Sequence, residues 1–269
     1  MITDIITRLS HYPKVLNGLK SCSEPDRIAR LRNLCQTDLY FLIRYGCGRA
    51  DIEHEWLFAR CREVQADPNG HLDLWAREHY KSTIITFGLT LQEILNDPEL
   101  TFGIFSHTRP IAKGFLRQIK RELEANERLK AWFPDILWDN PQKQAPKWSE
   151  DDGIVIKRQG NPKESTVEAW GLVDGQPTSK HYKRRIYDDI VVPASVTTPE
   201  MIAKTTEAWE LSDNLSSEGG EFRVAGTRYH FNDTYGEMMR RGVVKARVYP
   251  ATEDGSETGD PVLMSRETL

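Results

Sequence analysis

From residue 71 to residue 250 the chain alternates between short β-type runs and helical patterns, and this alternation limits the fold more than any other feature. The β-type runs predict strands over residues 71–76, 101–106, 153–157, 165–170, 185–192, 221–226 and 243–249. Helical spacing of apolar residues predicts helices over residues 82–95, 111–126, 199–211 and 233–241. Such alternation favours a mostly parallel sheet flanked by helices, so we predict an α/β fold.

The two ends of the chain have a different character. Residues 1–70 are predicted to form an N-terminal helical segment packed on the core, with helices over 26–45 and 52–64. Residues 71–250 are predicted to form the core domain. From residue 251 the sequence is turn-rich and acidic, which is typical of a linker. We expect three acids of this linker to be solvated rather than to bind metal: Asp254, Glu257 and Asp260.

Composition excludes several classes of protein. A net charge of −4 and a pI near 6.0 argue against a general nucleic-acid coat protein, although a local basic stripe is still compatible with DNA contact. No run approaches the roughly 18 apolar residues of a membrane helix, and the first residues do not resemble a signal peptide. We therefore expect a cytosolic protein without a membrane partner. The cysteines lack CxxC spacing, which predicts reduced thiols rather than zinc ligands or disulfides: Cys22, Cys35, Cys47 and Cys61.

The strongest chemical pattern stands between the first predicted strand and the helix after it. It consists of Arg77, Glu78, His79, Tyr80, Lys81, Ser82 and Thr83. Backbone N–H groups at a helix start bind phosphate, a lysine there reaches the β- and γ-phosphates, and a serine hydroxyl binds Mg²⁺. The usual pattern GxxxxGK[ST] is broken, because Trp75 and Tyr80 stand at the two glycine positions. An isolated Lys-Ser-Thr more often is a solvated helix start, so this prediction needs support from downstream residues.

Two downstream motifs give that support. Asp188 and Asp189 fit a strand-end pair in which the first acid orients Mg²⁺ and the second positions the attacking water. A pair of exposed acids is the simpler interpretation of this motif alone. Thr227 follows a further predicted strand, where a small polar residue can sense the γ-phosphate, although a plain strand-to-loop transition would look the same. If the three motifs form one site, we expect the strand with the acids to lie beside the strand leading to Lys81.

In this order, RxHxKST, YDDIVV and GTRYHFND resemble the ATPase domain of tailed-phage terminase large subunits, from about residue 53 onward. The resemblance implies a RecA-like (ASCE) P-loop NTPase fold that binds ATP and Mg²⁺. It also implies that residues 77–83 bind the nucleotide, with Arg77 and Lys81 acting in catalysis. By position, Ser82 and Asp188 correspond to the metal-binding residues, Asp189 to the catalytic acid and Thr227 to the coupling residue.

The resemblance further implies a homo-oligomeric ring motor, monomeric in isolation, that acts in the host cytoplasm at the procapsid portal. Its partners would be double-stranded DNA, the portal ring and a small terminase subunit, and residues 251–269 would lead toward a nuclease domain. We expect the adenine contact within residues 40–56. A basic residue of one subunit would complete the next subunit's site, and the candidates are Arg158, Lys180 and Arg184.

Two other interpretations stay open from the sequence. The chain could be a helicase-like, nucleic-acid-dependent P-loop ATPase, although further helicase motifs are not recognisable. It could also be a non-catalytic assembly module that keeps a degenerate nucleotide fold, which the missing loop glycines favour. The retained lysine, serine and paired acids favour an enzyme instead.

Overall fold

The computed structural model describes residues 8–268, and these residues form an eight-stranded sheet flanked by helices. The predicted α/β class is confirmed, and the arrangement is compatible with a RecA-like fold. The strands are β1 (His71–Trp75), β2 (Phe102–Ser106), β3 (Trp148–Ser149), β4 (Gly153–Ile154), β5 (Val167–Gly171), β6 (Tyr182–Asp188), β7 (Ser216–Gly226) and β8 (Lys245–Tyr249). Their order across the sheet is β3-β4-β5-β2-β6-β7-β1-β8. The strands from β5 to β8 in this order are parallel, whereas β3 and β4 extend one edge in the antiparallel sense.

The position of β7 corrects our expectation about neighbouring strands. We expected the strand that ends in Asp188 to lie directly beside β1, but β7 pairs with both and separates them. One edge of β6 is already occupied by β2, so the next strand in the chain pairs with its other edge. Because β7 leads to Thr227, all three motifs still reach the same edge of the sheet, where the carboxyl ends of parallel strands meet.

A second correction concerns the end of β6. The sequence predicts a strand over residues 185–192, but the strand ends at Asp188. The next residue, Asp189, has a φ of 50°, which no extended strand tolerates. Ile190 and Val191 beyond it are buried beneath the sheet rather than paired within it. Their apolar character therefore reflects burial rather than strand formation.

The helices surround the sheet and supply most of the N-terminal segment. They are α1 (Tyr12–Leu19), α2 (Glu24–Thr37), α3 (Leu39–Phe41), α4 (Glu55–Ala66), α5 (Leu89–Asn96), α6 (Arg109–Ala125), α7 (Glu127–Trp132), α8 (Pro141–Gln144), α9 (Pro199–Leu211) and α10 (Thr234–Arg240). The predicted helix over residues 26–45 is interrupted, because Asp38 is extended and its carboxylate accepts the N–H of Phe41 at the start of α3. The first seven residues of the N-terminal segment lie outside the described residues.

Alternate strand residues point into two separate cores, which is why both faces of the sheet are covered. On one face, Trp75 and Ile186 pack with apolar residues of α1 to α7. On the other face, Leu74 and Tyr187 pack with residues of α10 and of the loops around it. Strands buried on both faces are mostly apolar, and β1 and β2 are buried along their whole length, although β1 also carries His71 and Asp73 and β2 ends in Ser106.

The segment after β8 folds back along the molecule. Thr252 and Pro261 form an isolated antiparallel bridge, and the side chain of Leu263 packs against the larger core. Across residues 8–268, no helix is both long and apolar enough to cross a membrane. The four cysteines are free thiols, with Cys35 and Cys61 buried.

Candidate functional site

The carboxyl ends of β1, β7 and β6 bring five of the predicted site residues together. The Lys81 ammonium donates a hydrogen bond to the Thr227 hydroxyl at 3.1 Å. The same nitrogen lies 3.4 Å from a carboxylate oxygen of Asp189. The Ser82 hydroxyl donates to Asp188 at 3.1 Å. Residues separated by up to 146 positions in the chain therefore form one polar cluster.

The loop between β1 and the following helix adopts a strained backbone in place of glycine. Glu78 has a φ of 62° and Tyr80 a φ of 61°, both in the left-handed region that favours glycine. Tyr80 occupies the second glycine position of the usual pattern. The backbone at this position therefore adopts the left-handed conformation that glycine favours, although the residue is tyrosine. Trp75, at the first glycine position, is instead a buried residue of β1 and has no positive φ. Helical structure then begins at Lys81, continues through a π-helical turn over Thr83–Gly88 and runs into α5.

His79 anchors this loop from inside. Its side chain is fully buried, and its Nδ1 lies 2.8 Å from the carbonyl oxygen of Arg77. The ring also packs edge-on against Trp56 of α4 at 5.6 Å. These contacts fix His79, which lies between the two strained residues Glu78 and Tyr80, and so help the loop keep this backbone without glycine.

Asp188 has the environment of a buried metal-binding acid. Its two carboxylate oxygens accept hydrogen bonds from the hydroxyls of Ser82 and Thr86, the latter at 2.5 Å. Burial, and secondarily the charge of Asp189, raises the pKa of Asp188 to about 7, whereas Lys81 opposes this shift. Carboxylate and hydroxyl oxygens are the hard ligands that Mg²⁺ uses in nucleotide sites, where phosphates and waters complete its shell. Ser82 and Asp188 therefore fit Mg²⁺.

Sequence analysis missed Thr86, although a signal was present. Thr86 lies four residues after Ser82, so both hydroxyls point to the same side of the helical turn. A pair of hydroxyl residues at this spacing, directly after a lysine at a helix start, is the pattern that would have identified it.

Asp189 is held in place by its backbone and leaves its side chain accessible. Its N–H donates to the carbonyl of Ala225 in β7 at 3.0 Å, and its carbonyl accepts the N–H of His107 at 3.3 Å. Ser106, at the end of β2, donates to the carbonyl of Asp188 at 2.5 Å. The Asp189 side chain is 39% exposed and faces Lys81. A fixed backbone with an exposed carboxylate is what a water-positioning acid needs.

Arg77 links the loop to the segment after β7. Its guanidinium donates to the Tyr229 hydroxyl at 2.6 Å and lies 5.4 Å from the centre of that ring. The hydrogen bond that Arg77 donates to Tyr229 and, to a smaller extent, the charge of Asp189 raise the pKa of Arg77. Thr227 and Tyr229 thus contact two different residues of the segment from Arg77 to Thr83. These two contacts join the loop before the helix directly to the segment after β7.

The three candidates for a trans-acting basic residue lie elsewhere and contact groups of their own chain. Arg184 is at the amino end of β6 and pairs with Glu93 at 2.8 Å and Glu221 at 2.9 Å. Lys180 pairs with Glu168 at 2.9 Å. Arg158 donates to the carbonyl of Glu164 at 2.8 Å. None of these contacts reaches the cluster around Lys81, so any catalytic role would have to be in a neighbouring subunit.

A cavity of about 530 Å³ opens beside the loop between β1 and the following helix. Tyr80 and Thr83 line it from the loop and the helical turn, while Arg49 and Asp51 line it from the N-terminal segment. The last two residues fall within residues 40–56, where we expect the adenine contact. If the predicted adenine contact is correct, the adenine would lie in this cavity.

The site must be interpreted from its own geometry. No model of a protein family matches the chain, and no curated protein matches it either. What the structure provides is a lysine, two hydroxyls and two acids at the carboxyl edge of a parallel sheet, next to a strained loop at a helix start. This combination suits an anionic ligand that brings a metal ion with it.

Proposed function

We propose that this protein is a Mg²⁺-dependent ATPase with its catalytic residues at the carboxyl ends of β1, β7 and β6. The observation that supports this most is the convergence of Lys81 with Asp189 at 3.4 Å and of Ser82 with Asp188 at 3.1 Å. Both pairs join the start of the helix after β1 to the end of β6. A structural ion pair would need only one of these contacts, whereas a metal–nucleotide site needs both.

Each residue has a distinct role in this proposal. Backbone N–H groups at the helix start bind phosphate oxygens, and Lys81 neutralises the charge on the terminal phosphates. Ser82 and Asp188 would hold Mg²⁺, which supplies further neutralisation of phosphate charge when bound. Asp189 orients a water molecule and accepts its proton as the water oxygen bonds to the terminal phosphorus and the bond to the bridging oxygen breaks.

At a finer level we propose that the ATPase drives a DNA-packaging motor of the terminase type. The order of the three motifs supports this, as do the contacts of Thr227 with Lys81 and of Tyr229 with Arg77. A change at the terminal phosphate would alter both contacts and so move the segment after β7. Double-stranded DNA, a portal ring and a small terminase subunit would be the partners, in a homo-oligomeric ring within the host cytoplasm.

A titration with a fluorescent ATP analogue tests the ATPase proposal. We expect the wild type to bind in a Mg²⁺-dependent manner and Lys81→Ala to lose binding, because the phosphates would lose their main cation. Lys204→Ala, an exposed lysine on α9, is the matched control and should bind as the wild type does. Binding that is absent in the wild type would favour the non-catalytic module instead. DNA strand displacement without procapsids would favour the helicase-like alternative.

A further inference from the structure

Part of the lining of the cavity beside the loop comes from a third region of the chain. Leu263 and Met264, from the segment after β8, line it together with Arg49 and Asp51. The volume of about 530 Å³ falls within the roughly 300–1,000 Å³ of small-molecule sites. A segment expected to be a solvated linker thus forms part of a cavity next to the candidate catalytic residues.

The geometry of the loop indicates which part of a nucleotide would occupy this cavity. Lys81 and Ser82 direct their polar atoms toward Asp188, Asp189 and Thr227, which marks the side of the terminal phosphate. Tyr80 and Thr83, their neighbours in the chain, border the cavity. A phosphate loop holds the α- and β-phosphates on its backbone, so the nucleoside leaves it on the side away from the lysine's target. The cavity lies on that side.

The lining of the cavity matches the chemistry of a nucleoside. Arg49 donates two hydrogen bonds to Asp51, at 2.9 and 2.6 Å, and this contact lowers the pKa of Asp51 and keeps it an ionised acceptor. An ionised carboxylate can accept from the amine of a base or the hydroxyls of a ribose. Leu263 and Met264 are only partly buried, so each can still bury apolar surface against the flat face of a base.

We propose that Leu263 and Met264 bind the nucleoside, and that bound nucleotide thereby fastens the segment after β8 to the phosphate loop. This inference rests on the proposed ATPase function. The bridge between Thr252 and Pro261 lies within the segment, residues 265–268 are exposed, and Leu263 packs against the larger core. A nucleoside in the cavity would add a contact to this attachment.

Hydrogen exchange of the unaltered chain tests the inference with two ligands, a non-hydrolysable ATP analogue and inorganic triphosphate, each with Mg²⁺. Inorganic triphosphate offers the same phosphates without a nucleoside. We expect the ATP analogue to slow exchange over residues 261–266 at least fivefold more than inorganic triphosphate does, on the order of 1 kcal/mol of added local stability. Equal protection by the two ligands would overturn the inference.

Binding by a double variant provides the second measurement. Leu263→Ala with Met264→Ala should weaken the ATP analogue about tenfold, equal to 1.4 kcal/mol, and leave the affinity for inorganic triphosphate unchanged. Glu267→Ala, an exposed change in the same segment, is the control. Unchanged affinity for the analogue in the double variant would overturn this inference and leave the ATPase proposal intact. Failure of the wild type to bind either ligand would overturn both.

Discussion

Strand β6 has one cluster of charges at its carboxyl end and another toward its amino end, and the two clusters differ in how fully those charges are paired. In the cluster toward the amino end of β6, Arg223 of the neighbouring β7 is 1% exposed and donates to Glu93 at 2.5 Å and to Thr90 at 2.8 Å. Arg184 pairs with the same Glu93 and also with Glu221. Two arginines and two glutamates therefore balance each other, and we refer to these residues with Thr90 as the amino-end cluster.

At the carboxyl end the charges are less closely paired. Asp188 and Asp189 face the single ammonium of Lys81, Asp188 accepts only from hydroxyls, and Arg77, whose charge lies near Asp189, donates to Tyr229 instead. Burial, and secondarily the charge of Asp189, raises the pKa of Asp188. Buried charge alone therefore does not identify a site in this protein. The site that we propose is the loosely paired cluster beside the strained loop, where a cation and an anionic ligand would supply the missing charge.

The largest effect should come from Asp189, the acid that we propose to position water. Asp189→Asn should lower kcat for ATP hydrolysis by about 10²–10⁴-fold, because an amide cannot accept the proton of the attacking water. Binding of the ATP analogue should persist, since phosphate contacts are unchanged. Steady-state ATPase assays with the same titration measure both quantities. Full turnover by this variant would remove Asp189 from the catalytic role.

The amino-end cluster should respond in stability rather than in activity. Arg223→Ala leaves Glu93 with one partner fewer in a buried setting, and we expect a loss of about 3–5 kcal/mol in the free energy of unfolding. Urea unfolding followed by circular dichroism measures this. Arg223→Met with Glu93→Gln removes both charges and should recover part of the loss. A cost below about 1 kcal/mol for the single change would mean that the ion pair is not desolvated as the structure indicates.

The pH dependence of stability should separate the two clusters. An aspartate has a pKa of about 4 in an unfolded chain, whereas that of Asp188 is about 7 in the folded protein. The folded state therefore binds a proton that the unfolded chain releases, and the free energy of unfolding should fall as pH rises from about 4 to about 7. Asp188→Asn removes this contribution, because an amide does not titrate.

Urea unfolding of the ligand-free protein at pH 5 and pH 8 measures this difference. The wild type should lose on the order of 1–3 kcal/mol more than Asp188→Asn between the two values. Asp73 is also buried, and its pKa is raised to about 6. Both proteins contain Asp73, so its contribution to the pH dependence of stability is the same in each and does not affect the difference between them. An equal loss in the two proteins would contradict the raised pKa of Asp188.

The smallest effect concerns Arg184, a candidate trans-acting residue that belongs to the amino-end cluster. Arg184→Gln should cost about 0.5–1 kcal/mol in the free energy of unfolding, because Glu93 keeps its contact with Arg223. Hydrolysis by the isolated domain should be unchanged. The same ATPase assay should also be made on the proposed ring assembly. A loss of turnover seen only in the ring, and not in the isolated protein, would assign Arg184 to the neighbouring subunit's site.

Local patterns in the sequence were sufficient to predict the α/β class and the segments that meet at the site. Lys81, Ser82, Asp188 and Thr227 could be named because each follows or ends a β-type run. Parallel strands collect their carboxyl ends on one edge, so such residues meet even when the order of the strands is unknown. Spacing and residue type were therefore enough to predict which of these residues lie together at the carboxyl edge of the sheet.

The tertiary structure alone decided the rest. It placed β7 between β1 and β6, gave Tyr80 a left-handed backbone without glycine, and folded Leu263 back onto the core. It also assigned Arg184 to an ion-paired cluster rather than an open one. Each of these features depends on contacts between residues far apart in the chain. Local periodicity cannot encode them, because the free energy that selects them comes from packing and charge pairing across the whole fold.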